Sequence, residues 1–210
     1  MKRPVVALLG AFFFACAALA AFPACAADNL ELVRQRVAQV QVLRGGFEQE
    51  KQVAGFRNPL RSQGRFLLSR DKGVVWTTTK PFPSEMVITR ERILSRDEAG
   101  NSRVQADVKQ QPALRQVNAM MFALMGGDVS ALAARFDIDA QALPGDAWSL
   151  TLKPKAAALA KAFSRIELRG DRYVREVDIL EAGGDRTTLK FVDLSETPAR
   201  LDADEARRFD

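Results

Sequence analysis

Histidine is absent from this chain of 210 residues, and the two cysteines, Cys16 and Cys25, both lie near its start. There, Lys2 and Arg3 precede an apolar run from Val5 to Ala21, and Ala24-Cys25-Ala26 supplies the small residues of a cleavage site. Residues 1–26 therefore read as a secretory leader, cleaved after Ala26 or Ala27, with 27–210 as the exported protein. Acylation of either cysteine would call for a leucine three residues upstream, where Phe13 and Phe22 stand instead. About 183 residues remain after cleavage, with no His and no Cys. That excludes a thiolate nucleophile, a Ser-His-Asp triad and a zinc site of the usual kind. It also excludes disulfides in a compartment that would permit them, so a hydrophobic core must hold the fold.

Excess charge is scarce as well. The leader takes two of the 31 basic residues and none of the 26 acids, leaving 29 against 26, an excess of +3. The basic residues are scattered singly, and nucleic acid is not an expected partner. Asp137 and Asp139 alternate in RFDIDA and would share a strand face, as the paired acids of a glycosidase might. A solvated strand face opposite Phe136 and Ile138 accounts for the same pattern. No catalytic residue, metal or cofactor is expected, and the chain does not read as an enzyme.

What the chain does have is short strands. Asn29 to Leu43 carries apolar residues at Leu30, Val33, Val37 and Val40 and predicts an amphipathic helix stopped by Gly45-Gly46. Strands are then expected over 47–53, 64–69, 74–79, 85–89 and 93–96, too closely spaced for βαβ units, so the sheet should be antiparallel. Phe66, Leu68 and Arg70 share one parity, which places a charge at the edge of a greasy wall. Either Arg70 simply leads into a turn, or the wall belongs to a cavity and Arg70 latches whatever covers it. QQPALRQVNAMMFALM, from Gln110 to Met125, predicts a helix that is apolar on most sides, ending at Gly126-Gly127. Its stripe is Leu114, Val117, Met121 and Leu124, and it is far too short to span a bilayer. A second short helix over 128–134 and five more strands (135–140, 148–154, 164–169, 173–181 and 187–193) complete one domain, with a helical turn within 155–162. The expected class is mainly β with helices (α+β).

Several landmarks, in order, resemble a known family. They are an initial helix, Phe47-x-Gln49, Gly64 opening a strand, Arg70 six residues before Trp76, then Pro81. Trp148-Ser-Leu-Thr-Leu-Lys-Pro154-Lys and the run from Phe163 through Leu168 to Tyr173 and Val177 follow at the family's spacing. Together they resemble the periplasmic outer-membrane lipoprotein carriers (LolA-like), along nearly the whole exported chain. The resemblance implies an antiparallel incomplete β-barrel, or half-barrel, with a helical lid. It also implies an apolar hollow that holds acyl chains and an arginine that latches the lid. On that basis Phe47, Phe66, Leu68, Trp76, Met86 and Ile88 are wall candidates. Leu114, Val117, Met121 and Leu124 are lid candidates, and Arg70 is the latch. The implied partners are an acylated lipoprotein or other lipid cargo, an inner-membrane release complex and an outer-membrane acceptor, with the carrier itself a monomer. Two departures mark a divergent member. Asp71-Lys72-Gly73 follows Arg70 where the family often has Pro, and the chain stops near Arg208-Phe209-Asp210, where the standard carriers continue. A specialised shuttle or sensor for a polyene or glycolipid is the alternative reading.

Overall fold

The structure, a computed structural model, describes residues 24–96, 102–107 and 112–210. Its strands are β1 (Val42–Gln52), β2 (Leu60–Ser69), β3 (Gly73–Lys80), β4 (Ser84–Ile88), β5 (Arg92–Arg96) and β6 (Ser102–Asp107). Five more follow: β7 (Phe136–Ala142), β8 (Trp148–Pro154), β9 (Phe163–Gly170), β10 (Val174–Glu181) and β11 (Arg186–Ser195). The helices are α1 (Ala24–Arg36), α2 (Pro112–Gly126), α3 (Val129–Ala133), α4 (Ala157–Ala160) and α5 (Ala203–Arg207).

All eleven strands form one antiparallel sheet in the order β6-β5-β4-β3-β2-β1-β11-β10-β9-β8-β7. Neighbours in the chain are neighbours in space except at one seam, where β1 pairs with β11 and Phe47 lies opposite Phe191. The sheet does not close, so it is the incomplete barrel expected from the sequence. Its two free edges, β6 and β7, are consecutive in the chain. The segment joining them carries α2 and α3, and it has to cross the open side of the sheet to get from one edge to the other.

Period-two alternation sorts the strands into two cores. In β2, Phe66 and Leu68 enter the main core and Leu67 enters a smaller one on the opposite face. The main core fills the concave side with residues from the sheet and from α1, α2, α3 and α4 together. The smaller one gathers Val42, Leu67, Val75, Val87 and Leu94 on the convex side under Phe209, which is 4% exposed. The chain after β11 therefore folds back across the outside of the sheet. There α5 is fixed by a capping box at Asp202 and Glu205, and Arg44 grips Glu205 through two 2.6 Å hydrogen bonds. Arg208 reaches Glu85 at 2.7 Å, and Arg96 donates to Glu85 and to the Arg208 carbonyl.

The sequence expectations need three corrections. The first helix stops at Arg36 and does not run to Leu43. Val37 and Val40 are still buried, but the Ala38 N–H bonds the Arg172 carbonyl at 2.8 Å and the Gln41 carbonyl accepts from Arg70 N–H, so tertiary partners take the backbone out of the helix. Gly45-Gly46 does not stop a helix at all. The pair lies inside β1, where a Cβ on Gly45 would sit 2.6 Å from Leu194 and one on Gly46 2.9 Å from Val192. β6 and α5 have no counterpart among the expected elements. The expected stop at Gly126-Gly127 is present: Gly127 adopts φ +70°, and the Asp128 N–H bonds back to the Ala123 carbonyl at 2.9 Å.

Candidate functional site

The concave face is built around four aromatic rings that the register brings together. Phe47 lies opposite Gly64 on β2 and Phe191 on β11, while Phe66 lies opposite Trp76 on β3. Phe47 stacks on Trp76 at 3.9 Å, Phe66 on Trp76 at 6.2 Å, and Phe191 meets Phe66 and Trp76 edge-on at 5.3 and 6.4 Å. Such offset and T-shaped pairs are favoured geometries, and they make one continuous apolar floor. Of the four, Phe191 was not among the residues singled out from the sequence. Only the pairing of β1 with β11, some 140 residues apart in the chain, brings it to the others.

Above that floor lies α2. Met120, Ala123, Leu124 and Met125 are buried in the main core, and Met121 and Phe122 pack against its margin. Between Leu43, Phe66, Met125, Val174 and Phe191 a void of about 10 Å³ remains. That is at the lower limit for one water, and its lining is wholly apolar. In this state the helices themselves occupy the hollow of the half-barrel.

Toward the β1–β2 turn the same face runs on through Gln49, Ser62 and Leu60, and Leu60 is 64% exposed. The concave side is thus covered at one end and open at the other.

Residues 38–205 match the family model of the outer membrane lipoprotein carrier protein LolA. The chain belongs to the LolA family. Its fold is that family's periplasmic carrier fold for lipid and lipoprotein. No curated protein matches the chain. Among solved structures it is similar to the LolA superfamily protein NE2245 from Nitrosomonas europaea, at 8% identity over 81% of this chain and 92% of that one, with a TM-score of 0.43. A putative outer membrane lipoprotein-sorting protein domain from Vibrio parahaemolyticus is similar at 11% identity, over 87% of this chain and 98% of that one, with a TM-score of 0.43. MucB in the Pseudomonas aeruginosa MucA/MucB complex is similar at 19% identity over 89% of this chain, with a TM-score of 0.47. The match spans 61% of that protein's length. Membership in the LolA family rests on the match along the sequence.

The residues singled out from the sequence distribute as follows. Phe47, Phe66, Leu68 and Ile88 are buried, the first three in the main core. Trp76 is half-buried at its margin, and Met86, opposite Trp76 on β4, is 38% exposed. Leu124 is buried and Met121 partly so, whereas the side chains of Leu114 and Val117 lie outside the described residues. Arg70 stands just past the end of β2, where its Nη2 donates to Gln39 Oε1 at 3.1 Å in the α1–β1 connection. Asp137 is exposed and reaches Lys155 at 3.8 Å, a solvated strand face. Among the described residues no three side chains group as metal ligands, and no helix is long and apolar enough to cross a membrane.

Sequence reasoning passed over Asn118. It is 4% exposed, and its Nδ2 donates to the Thr89 carbonyl at 2.6 Å, tying α2 to the β4–β5 turn. Its signal was available: one amide near the start of the otherwise apolar run VNAMMFALM. A buried polar group in such a run needs a specific partner.

Proposed function

We propose that this chain is exported, loses its leader, and works in the periplasm as a carrier that shuttles acyl-bearing cargo toward the outer membrane. The observation that carries this reading is the relation between sheet and helix. The free edges β6 and β7 are bridged by a segment whose methionine-rich helix fills the very face the open sheet would otherwise expose. Methionine suits a surface that must pack against sheet in one state and against varied chains in another.

The energetics fit reversible exchange. Burying Met120, Leu124 and Met125 is worth roughly 5–9 kcal/mol at about 1.5–3 kcal/mol per side chain. At about 0.8 kcal/mol per CH₂, some six to eleven methylenes of an acyl chain offset that when they take the helix's place. Loading and release are then both near balance, as a shuttle requires. In this reading Phe47, Phe66, Leu68, Trp76, Met86 and Ile88 form the wall, and Leu114, Val117, Met121 and Leu124 ride on the lid. Asn118, through Thr89, is a polar tie on the lid that breaks on opening, and Arg70, which lines the cavity beside α2, is the latch candidate.

The test is mass spectrometry of lipid extracts from protein purified gently from periplasm without detergent. A co-purifying triacylated lipoprotein is the expected result. A glycolipid or polyene ester would make the chain a specialised shuttle of the same fold. An unloaded protein that takes up no fluorescent fatty acyl probe would overturn the carrier reading.

A further inference from the structure

A second cavity, of about 380 Å³, opens beside α2, between that helix, α3, the end of β2 and the β4–β5 turn. Leu68 and Phe122 give it apolar walls, and Arg70, Arg90, Arg135 and Asn118 give it polar ones. The charges around it are unbalanced. Arg70 bonds the Gln39 amide, Arg90 donates to the Arg70 carbonyl at 3.3 Å, and Arg135 donates to the Ala131 carbonyl at 3.1 Å. No carboxylate pairs with any of the three among the described residues. The one acid in the lining, Asp128, is engaged in capping α3, accepting from the Ala131 N–H at 2.9 Å.

Asn118 adds an independent sign of a ligand. Its amide nitrogen is used on Thr89, but its Oδ1 is buried with no hydrogen-bond partner. Buried acceptors are almost always satisfied, and an exception calls for an explanation. A single water would satisfy this oxygen and still leave three guanidiniums facing a half-enclosed pocket without an anion.

We propose that this pocket receives the polar head of an amphiphile. Arg70, Arg90 and Arg135 hold a phosphate, and a hydroxyl or ammonium donor on the same head group reaches Asn118 Oδ1. Guanidinium forks match phosphate oxygens in geometry as well as charge. The volume falls within the range of small-molecule sites and suits a phosphoglycerol or phosphoethanolamine head. Asn118 and Phe122 line this pocket, while Met120, Leu124 and Met125 of the same helix are buried in the core. Leu68 and Ala123 belong to the pocket and to the core alike, so the anion-binding pocket adjoins the acyl-binding floor alongside α2. The inference deepens the carrier reading and rests on it for the acyl half of the ligand, whereas the phosphate half stands on the pocket alone. Lipid and free phosphate ester share the relevant chemistry, so the experiment has to separate them.

Calorimetry on the leader-free protein with three probes does so: dihexanoyl-phosphatidylglycerol below its micellar concentration, dihexanoylglycerol, and sn-glycerol 3-phosphate. Each is titrated into wild type, Arg90→Gln and the Arg90→Gln/Arg135→Gln pair. Arg90 is exposed, so the single variant remains informative even if the pair melts early. The phosphatidylglycerol probe should bind about tenfold or more tighter than the neutral one, the gain expected from charge-assisted hydrogen bonds. The variants should erase that difference and leave dihexanoylglycerol binding unchanged. Equal binding of both acyl probes, indifferent to the arginines, would overturn the head-group site and leave the carrier standing. Arginine-dependent binding of glycerol phosphate without either acyl probe would uphold the anion pocket with a soluble ester as its ligand, and would sink the carrier. Binding of none of the three would overturn both.

Discussion

The ring of Phe47 reaches across β2 to stack on Trp76, two strands away, at 3.9 Å. It can do so because the residue between them is Gly64, where a Cβ would lie 2.7 Å from the Phe47 ring and 2.0 Å from the Thr77 carbonyl oxygen. The missing side chain at Gly64 makes room for the stacked rings and for the close approach of the Thr77 carbonyl.

Gly64→Val should therefore be among the most damaging single substitutions in the chain. The colliding Thr77 oxygen belongs to the backbone and cannot swing aside. An overpacking cost of roughly 2–3 kcal/mol is expected. For a chain of this size that lowers the melting temperature by about 4–12 °C. A melt that matches wild type would show that the sheet relaxes around position 64.

Arg70→Leu should leave the fold close to its wild-type stability, because the Arg70–Gln39 hydrogen bond is exposed. Cargo behaviour should change nonetheless. Transfer of a fluorescent acyl probe from the loaded variant to acceptor vesicles should differ from wild type severalfold. Identical loading and transfer would remove Arg70 from the lid mechanism.

Asn118→Leu cuts the tie between α2 and Thr89 and replaces an amide whose oxygen is unpartnered. The lost hydrogen bond is worth about 1 kcal/mol, so the lid should open roughly fivefold more often. Stopped-flow uptake of an acyl probe should quicken accordingly in the variant. A slower or unchanged rate would mean that opening does not require this bond to break.

Acid should release the C-terminal helix from the convex face. Hydrogen bonding to Arg44 holds the Glu205 carboxyl below its ordinary value, against the opposing effect of burial. Burial pushes the Glu85 carboxyl up, but Arg208, Thr77 and Arg96 outweigh it and hold that group low as well. Carboxyls depressed in the folded state contribute stability that is complete above their unfolded value, near 4.5, and is lost as pH falls through the folded value. Hydrogen-exchange protection factors for 196–210 should hold steady down to about pH 4.5 and then fall. Glu205→Gln should start with weaker protection and show a shallower fall. Protection that rises on acidification would contradict the assignment.

How much of this was legible in the sequence depends on the range of the interaction. The inward faces of Phe66 and Leu68 follow from period-two alternation, and the strand from Trp148 to Pro154 has the bounds its pattern suggested. Gly127 was readable as a helix stop because the conformation it supplies is local. Gly45 and Gly46 were misread because glycine looks the same whether it ends a helix or admits a neighbour. The neighbours in question, Leu194 and Val192, are some 150 residues away. Phe209 shows the same limit: its burial depends on a chain reversal that no local pattern announces. Within the candidate site, the wall on β2 and β3 was visible in the alternation. The contribution of Phe191 and the Arg90–Arg135 side of the pocket emerge only when distant segments meet, as does the identity of the Thr89 carbonyl as the partner of Asn118.

The seam between β1 and β11 also bears on how the molecule comes into being. The middle of the sheet is where the beginning and the end of the chain pair. Either half-sheet alone is a run of hairpins with little separation along the chain, the kind of structure that forms early. The trough itself needs both halves joined. It comes into existence only once β11 is available to pair with β1, so a partly made chain offers no continuous greasy groove.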